Sequence, residues 1–318
     1  MTGSGIHHRL ARLIHKLAPQ SKLFRTWPLE GGISAGMTAL EIEGPDGVAK
    51  RMILRRPGEE TIRQNPHAAE DEFRLLQATQ SLGLATPKPY HLDQSGEILP
   101  TPYLVIEYVE GEMAFAPSDL AGYVRQLAEH LARIHSADLA DLDLSFLSRQ
   151  ADGCAEMTGQ RPAAVDQALD EGRIRDTLAS LWPLWQRNAW ALLHGDFWPG
   201  NVLWRDGKLV AVIDWEGAKL GDPLTDLAIS RLDIAWILGI DAMHAFTRRY
   251  QSLVDIDYTN LPYWDLCAAL RLVRLASGHF SEWAAFFVTY GRNDISEQTM
   301  RDDYGCFIAQ AFAELANQ

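Results

Sequence analysis

The stretch Leu192–Glu216, LLHGDFWPGNVLWRDGKLVAVIDWE, limits what this chain can fold into more than any other. Its apolar runs, Ala191–Leu193, Val202–Trp204 and Leu209–Ile213, are too short for helices and are bounded by Gly, Pro and Asp. The pattern therefore predicts short strands joined by tight turns. At the strand ends stand His194, Asp196 and Asn201, in the order H-x-D-x-x-x-x-N, and then Asp214, thirteen residues after Asn201. Polar residues at strand ends are held by the backbone on one side and aimed on the other.

Moving a phosphoryl group from a nucleoside triphosphate needs a carboxylate near the attacking hydroxyl and hard oxygen ligands for magnesium. This segment supplies both. Asp196, carried by a loop that Pro199 and Gly200 stiffen, reads as the catalytic base. The Asn201 amide oxygen and the Asp214 carboxylate, at the end of an apolar strand, read as the magnesium ligands. His194 reads as a hydrogen-bonding brace for the loop.

Upstream, Gly31, Gly32 and Ser34 precede the first expected strand and suit a loop whose amides and hydroxyl donate to phosphate oxygens. Ile33 stands at the third residue of G-x-G-x-x-G, where a glycine would fall, and no G-x-x-x-x-G-K-S/T occurs, which argues against a P-loop. Arg55, in the strand Met52–Arg56, and Glu72, on the next helix, form a candidate ion pair for the nucleotide's inner phosphates. Arg56 competes for the same role.

Hydrophobic residues at 47% and charged residues at 22% are ordinary for a globular protein, and 318 residues suffice for two domains. Residues 1–21 read as an N-terminal helical extension whose Leu10, Leu13, Ile14 and Leu17 recur at helical spacing. No h-region of a signal peptide and no membrane-length apolar run is seen. Residues 22–111 read as strand-rich with one helix: strands over Thr38–Glu43 and Val48–Arg55, a helix over Ala68–Leu82, and strands at Tyr90–Leu92 and Tyr103–Val109. Residues 112–318 read as mainly helical, with a helix capped by Ser118 whose inner face begins at Leu120, and others over 223–238, 241–254, 262–288 and 296–316. Cys154, Cys267 and Cys306 lack metal or redox spacing and suit free thiols in a reducing cytoplasm.

In order, the glycine loop, strand arginine, helix Glu, HGDFWPGN, IDWE and GDPLTDLA resemble the aminoglycoside phosphotransferase and choline kinase-like family. The resemblance implies an α+β, protein-kinase-like two-lobed fold, with a small antiparallel-sheet lobe and a larger helical one. It implies that Asp196 is the base, that Asn201 and Asp214 bind magnesium, and that Arg55 and Glu72 hold phosphate. It further implies that Glu107 and Val109 offer backbone groups to the base of ATP or GTP. Asp222 and Asp226 resemble acids that brace the loop and cap the following helix. Arginine stands where lysine is usual, and Trp215-Glu216 replace the Phe-Gly of protein kinases, whose activation-loop signature is also absent.

These departures favour a small hydroxylated substrate over a protein. Residues 1–111 carry 13 acids and 12 bases, and residues 112–318 carry 29 acids and 17 bases. The acidic half disfavours nucleic acid and anionic membranes and leans toward a cationic alcohol. Trp198, Trp204 and Trp215 suit either core packing or stacking on a ligand, and Asp265, Glu282 and Asp294 are weak candidates for substrate contacts. The competing readings are a catalytically silent nucleotide-binding protein and a protein kinase.

Overall fold

Leu10, Leu13 and Ile14 recur at helical spacing, and in the computed structural model they are the buried face of helix α1 (Gly3–Leu17). The structure describes residues 3–29, 35–150, 161–182, 184 and 186–317. The stretch containing Gly31, Gly32 and Ser34 lies outside them, as does Cys154. The chain divides into two compact units, Met1–Glu110 and Gly111–Gln318.

The first unit is built on an antiparallel sheet of five strands: β1 (Lys22–Leu29), β2 (Ala35–Glu43), β3 (Ala49–Pro57), β4 (Pro89–Asp93) and β5 (Tyr103–Glu107). Their order is β1-β2-β3-β5-β4. The apolar face of α1 packs with Leu40 and Ile42 of β2, Leu54 of β3, and Tyr103 and Val105 of β5. Burying three aliphatic side chains in this way contributes roughly 1.5–3 kcal/mol each. Two elements go beyond the sequence reading. Strand β1 has no fully buried residue and carries Lys22, Arg25 and Pro28, so it shows no apolar alternation; it lies at the sheet edge, where Pro is tolerated. Helix α2 (Glu59–Gln64) buries nothing. Helix α3 (Ala68–Ser81) follows the expected span and buries Leu75 and Leu76.

In the second unit, α4 (Leu120–His135) starts one residue later than expected. Asp119, not Ser118, is the cap: its Oδ1 accepts from the Gly122 amide at 2.9 Å. Leu120 therefore falls in an unpacked first turn and is exposed, and the buried face begins at Tyr123. Helix α5 (Glu171–Ser180) precedes the strand segment, which comprises β6 (Ala191–Leu193), β7 (Val202–Arg205), β8 (Lys208–Val212) and β9 (Lys219–Gly221). Beyond it run α6 (Leu224–Leu238), α7 (Ile240–Gln251), α8 (Leu261–Ala276), α9 (Phe280–Val288) and α10 (Glu297–Ala316). The single helix expected over 262–288 is thus two, broken at Gly278, whose φ of +77° ends a helix without the penalty a Cβ would bring.

One buried cation locks α6, α7 and α8 together. Arg231 donates from Nε and Nη2 to the two oxygens of Asp265, each at 3.0 Å, and from Nη1 to Thr247 at 2.6 Å. Asp265 is 1% exposed, so this acid is a structural strut and not a substrate contact. The other two weak candidates stand at the surface, each beside one partner. Asp294 accepts from Arg292, and Glu282 pairs with His279. Among the described residues no helix is long and apolar enough to cross a membrane.

Leu13 is fully buried. Replacing it with Ala should cost about 2–5 kcal/mol of unfolding free energy in urea titrations. A loss within ~0.5 kcal/mol would mean that α1 is not part of the core of its unit.

Candidate active site

The strand segment folds as its turn residues dictate. β6 pairs with β9, while β7 and β8 form a hairpin whose turn residues, Asp206 and Gly207, have φ of 52° and 71°. Such angles match the twist of a tight two-residue hairpin. Between β6 and β7 lies the loop His194–Trp198, followed by a single turn of 3-10 helix, Pro199–Asn201.

This loop hangs from α6. Asp226 is fully buried, and its carboxylate accepts from the His194 amide at 2.6 Å, the Gly195 amide at 2.9 Å and the His135 ring at 3.4 Å. Burial pushes this carboxyl up, but the donors around it outweigh burial and hold it below its ordinary value. One turn on, the Ser230 hydroxyl donates to the Phe197 carbonyl at 2.7 Å. Gly195 sits at φ +85°, and a Cβ there would lie 2.1 Å from the Gly217 carbonyl oxygen. Only glycine lets the loop approach the Trp215–Gly217 turn so closely. Asp222 accepts from the Leu224 amide at 3.0 Å and so caps α6.

His194 is completely buried. Its Nδ1 accepts from the Asp196 amide at 3.2 Å, which leaves the proton on Nε2 to donate to the Ile213 carbonyl at 2.9 Å. Burial lowers the imidazole pKa, in keeping with this neutral ring. The histidine ties the loop to the end of β8 and presents no exposed nitrogen to a reactant.

Asp196 and Asn201 meet. The Asn201 side-chain nitrogen donates to the Asp196 backbone carbonyl at 2.9 Å and to Asp196 Oδ2 at 3.0 Å. Both partners are acceptors, so the amide nitrogen faces Asp196 and the amide oxygen faces elsewhere. The Ile213 amide donates to the Asn201 carbonyl at 2.9 Å, which brings Asp214 alongside. Asp214 has φ 63° and ψ 60°, a left-handed conformation that costs a non-glycine residue energy and recurs at functional positions. An amide oxygen and a carboxylate on adjoining segments fit a hard divalent cation that fills its remaining positions with phosphate and water.

The first unit holds the other expected residues. Arg55 is 5% exposed, and its Nε lies 2.7 and 2.9 Å from the two Glu72 oxygens. Arg56 instead lies beside Gly36, its Nε buried without a partner among the described residues. Glu107 ends β5, and its amide donates to the Lys88 carbonyl at 2.8 Å; Val109 lies just past the strand. Of the three tryptophans, Trp204 and Trp215 are core: one stacks on Tyr123 at 4.1 Å, and the other donates to the Val212 carbonyl at 3.0 Å. Trp198 is half-buried, next to Phe115 and Trp283.

Two charged residues at this site were not singled out in the sequence. Arg271 of α8 donates from Nη2 to Asp196 Oδ1, and Asp233 of α6 is buried near both. A signal for Asp233 exists, since Asp226, Ser230 and Asp233 fall on one face of a mostly apolar helix at spacings of four and three. Nothing in the sequence around Arg271 marks it.

Burial pushes the Asp233 carboxyl up to about 7, partly opposed by Arg271 and reinforced by Asp196. Between its ordinary value of 3.8 and about 7, the native chain keeps a proton that the unfolded chain has released. This group's stabilising contribution is therefore complete at low pH and is lost as pH rises toward 7. Asp233→Asn, a mimic of the protonated form, should gain stability relative to wild type as the melt is moved from about pH 5 to about pH 8. A stability difference independent of pH would contradict this.

A family model described as the phosphotransferase enzyme family matches residues 28–264, well over half of the chain. Acyl-CoA dehydrogenase family member 10 of Mus musculus is 30% identical over 197 residues, covering 58% of this chain. The chain spans only 18% of that protein's length. Viomycin phosphotransferase of Streptomyces vinaceus is 31% identical over 171 residues, covering 50% of this chain and 59% of that protein. The structure of spectinomycin phosphotransferase APH(9)-Ia, in complex with ADP and spectinomycin, matches with a TM-score of 0.62 at 16% identity. That match covers 96% of this chain and 98% of that one, a likeness of fold. The chain belongs to the phosphotransferase enzyme family, with the kinase-like α+β fold of the aminoglycoside phosphotransferases.

Proposed function

We propose that the protein transfers the terminal phosphoryl group of ATP, or of GTP, to a hydroxyl of a small molecule. The observation that carries this reading is the arrangement of Asp196, Asn201 and Asp214, in which one amide both fixes the candidate base and turns its oxygen away from it. The acceptor oxygen attacks the terminal phosphorus, a new O–P bond forms and the bond to the nucleoside diphosphate leaving group breaks. Asp196 aims the hydroxyl and takes its proton late, as a loose transition state requires. Asn201 and Asp214 would hold magnesium, which when bound neutralises charge building on the phosphate oxygens. Arg55, kept in place by Glu72, is the cation for the inner phosphates, with Gly31, Gly32 and Ser34 donating to phosphate and Glu107 and Val109 offering backbone groups to the base.

The complex of spectinomycin phosphotransferase with ADP supports nucleotide use, and the names of the viomycin and spectinomycin enzymes support a small-molecule acceptor. The acidic second half leans toward a cationic acceptor, yet Arg271 places a guanidinium against the reacting carboxylate. Any ammonium on the acceptor is therefore best placed away from the reacting hydroxyl, against aromatic faces such as Trp198 and Trp283.

Purified protein should consume ATP in the presence of magnesium and one member of a panel of hydroxylated amines, sugars and nucleosides. Asp196→Ala should lower transfer about 10²–10⁴-fold while calorimetry shows nucleotide still bound. Undiminished transfer in that variant would remove Asp196 from the mechanism.

A further inference from the structure

We propose that Arg271 is a positioning residue for the candidate base Asp196, and that Asp233 is its buried counter-charge; this rests on the phosphotransferase reading above. Asn201 occupies Oδ2 of Asp196 and the backbone carbonyl of the same residue. Oδ1, the oxygen left for an incoming hydroxyl, receives Arg271 Nη2. The carboxylate is thus held at both corners, by a catalytic-loop amide on one side and by α8 on the other. Each oxygen keeps a lone pair, so the acceptor hydroxyl can still donate to Oδ1. A guanidinium is planar and charged at all ordinary pH, so it fixes the carboxylate's plane as well as its place. The side chains of Arg271 and Asp196 are 32% and 34% exposed, which leaves the pair accessible to a reactant.

A cation at the base carries a cost, because it cancels the negative charge that orients the hydroxyl. Asp233 offsets that cost. It is 7% exposed on the face of α6 that carries the loop-bracing Asp226 and Ser230. Its hydrogen-bond donor is the Trp236 indole, at 3.1 Å, and its charged neighbours are Arg271 and Asp196. Once Asp233 is ionised, above about pH 7, the three charges sum to one negative charge, that of a base standing alone. A buried acid is expensive unless it is paired and hydrogen-bonded, and Asp233 has the Trp236 indole and Arg271 beside it. Asp233 neither caps α6 nor braces the loop backbone, roles that Asp222, Asp226 and Ser230 already fill. A loose transition state asks more of aim than of basicity, which suits a base pinned by arginine.

The test compares full-length wild type with Arg271→Met, Arg271→Lys and Asp233→Asn. Turnover of magnesium-ATP is measured with water and with the acceptor panel. The Asp196 carboxyl resonance is read in protein labelled with ¹³C-aspartate and assigned by its loss in Asp196→Ala. Arg271→Met should lower kcat about 10- to 100-fold, as expected for a misplaced catalytic group, with KM for ATP unchanged. Arg271→Lys should recover part of that loss, Asp233→Asn should fall between wild type and Arg271→Met, and the Asp196 resonance should move in Arg271→Met. Wild-type turnover and an unmoved resonance in Arg271→Met would overturn the proposal. A wild type inactive with water and every acceptor would count against the phosphotransferase reading. In that event a shifted Asp196 resonance in Arg271→Met still supports Arg271 as the group that positions it, and an unshifted one overturns it.

Discussion

The buried carboxylate of Asp226 is the interaction on which the second unit's site depends. It lies on the first turn of α6, fully removed from solvent, and accepts from two consecutive loop amides and from His135. Taking an ionised carboxylate out of water is costly, and charge-assisted hydrogen bonds are what offset it. The same bonds satisfy amides that a left-handed glycine would otherwise leave without partners. The loop is thereby fixed to the most buried helix of the unit, and that helix is itself clamped to α7 and α8 by Arg231.

From that anchor the order passes outward through short links. Asp226 holds the backbone of His194, His194 bridges to Ile213, and Asn201 joins Asp196 to the strand that delivers Asp214. His194 and Asp226 spend their polar atoms inside the network, while Asn201 answers Asp196 with its nitrogen and leaves its amide oxygen facing elsewhere. Phosphoryl transfer asks for little covalent work from a protein and for much placement, and this network supplies placement. The first unit repeats the idea with one pair, Arg55 against Glu72, on a strand and the helix that covers it.

Much of this was legible in the residues. The β7–β8 hairpin follows from Asp206-Gly207, and the loop that carries Asp196 from Gly195, Pro199 and Gly200, because those residue types admit few alternative backbones. The pairing of Arg55 with Glu72 was also expected, since it needs only a strand and the next helix. What escaped were features without a local signature. Strand β1 is an edge strand with a half-polar face, and the break at Gly278 interrupts a continuous helical period. Asp265 read as a candidate ligand because its partner, Arg231, lies 34 residues away and is brought to it only by helix packing.

The chemistry proposed for the candidate site was legible in the sequence alone, because phosphoryl transfer restricts both the residue types and their spacing within one short segment. Tertiary structure decided which charges surround that segment. Composition suggests an acidic surrounding, yet α8 brings Arg271 against the carboxylate of the candidate base and α6 buries Asp233 near both. Arg271 lies 75 residues from Asp196, and no pattern in the intervening chain records that they meet. Helix packing sets the separation of such groups, and electrostatic energy depends on that separation and on burial, neither of which a linear sequence carries.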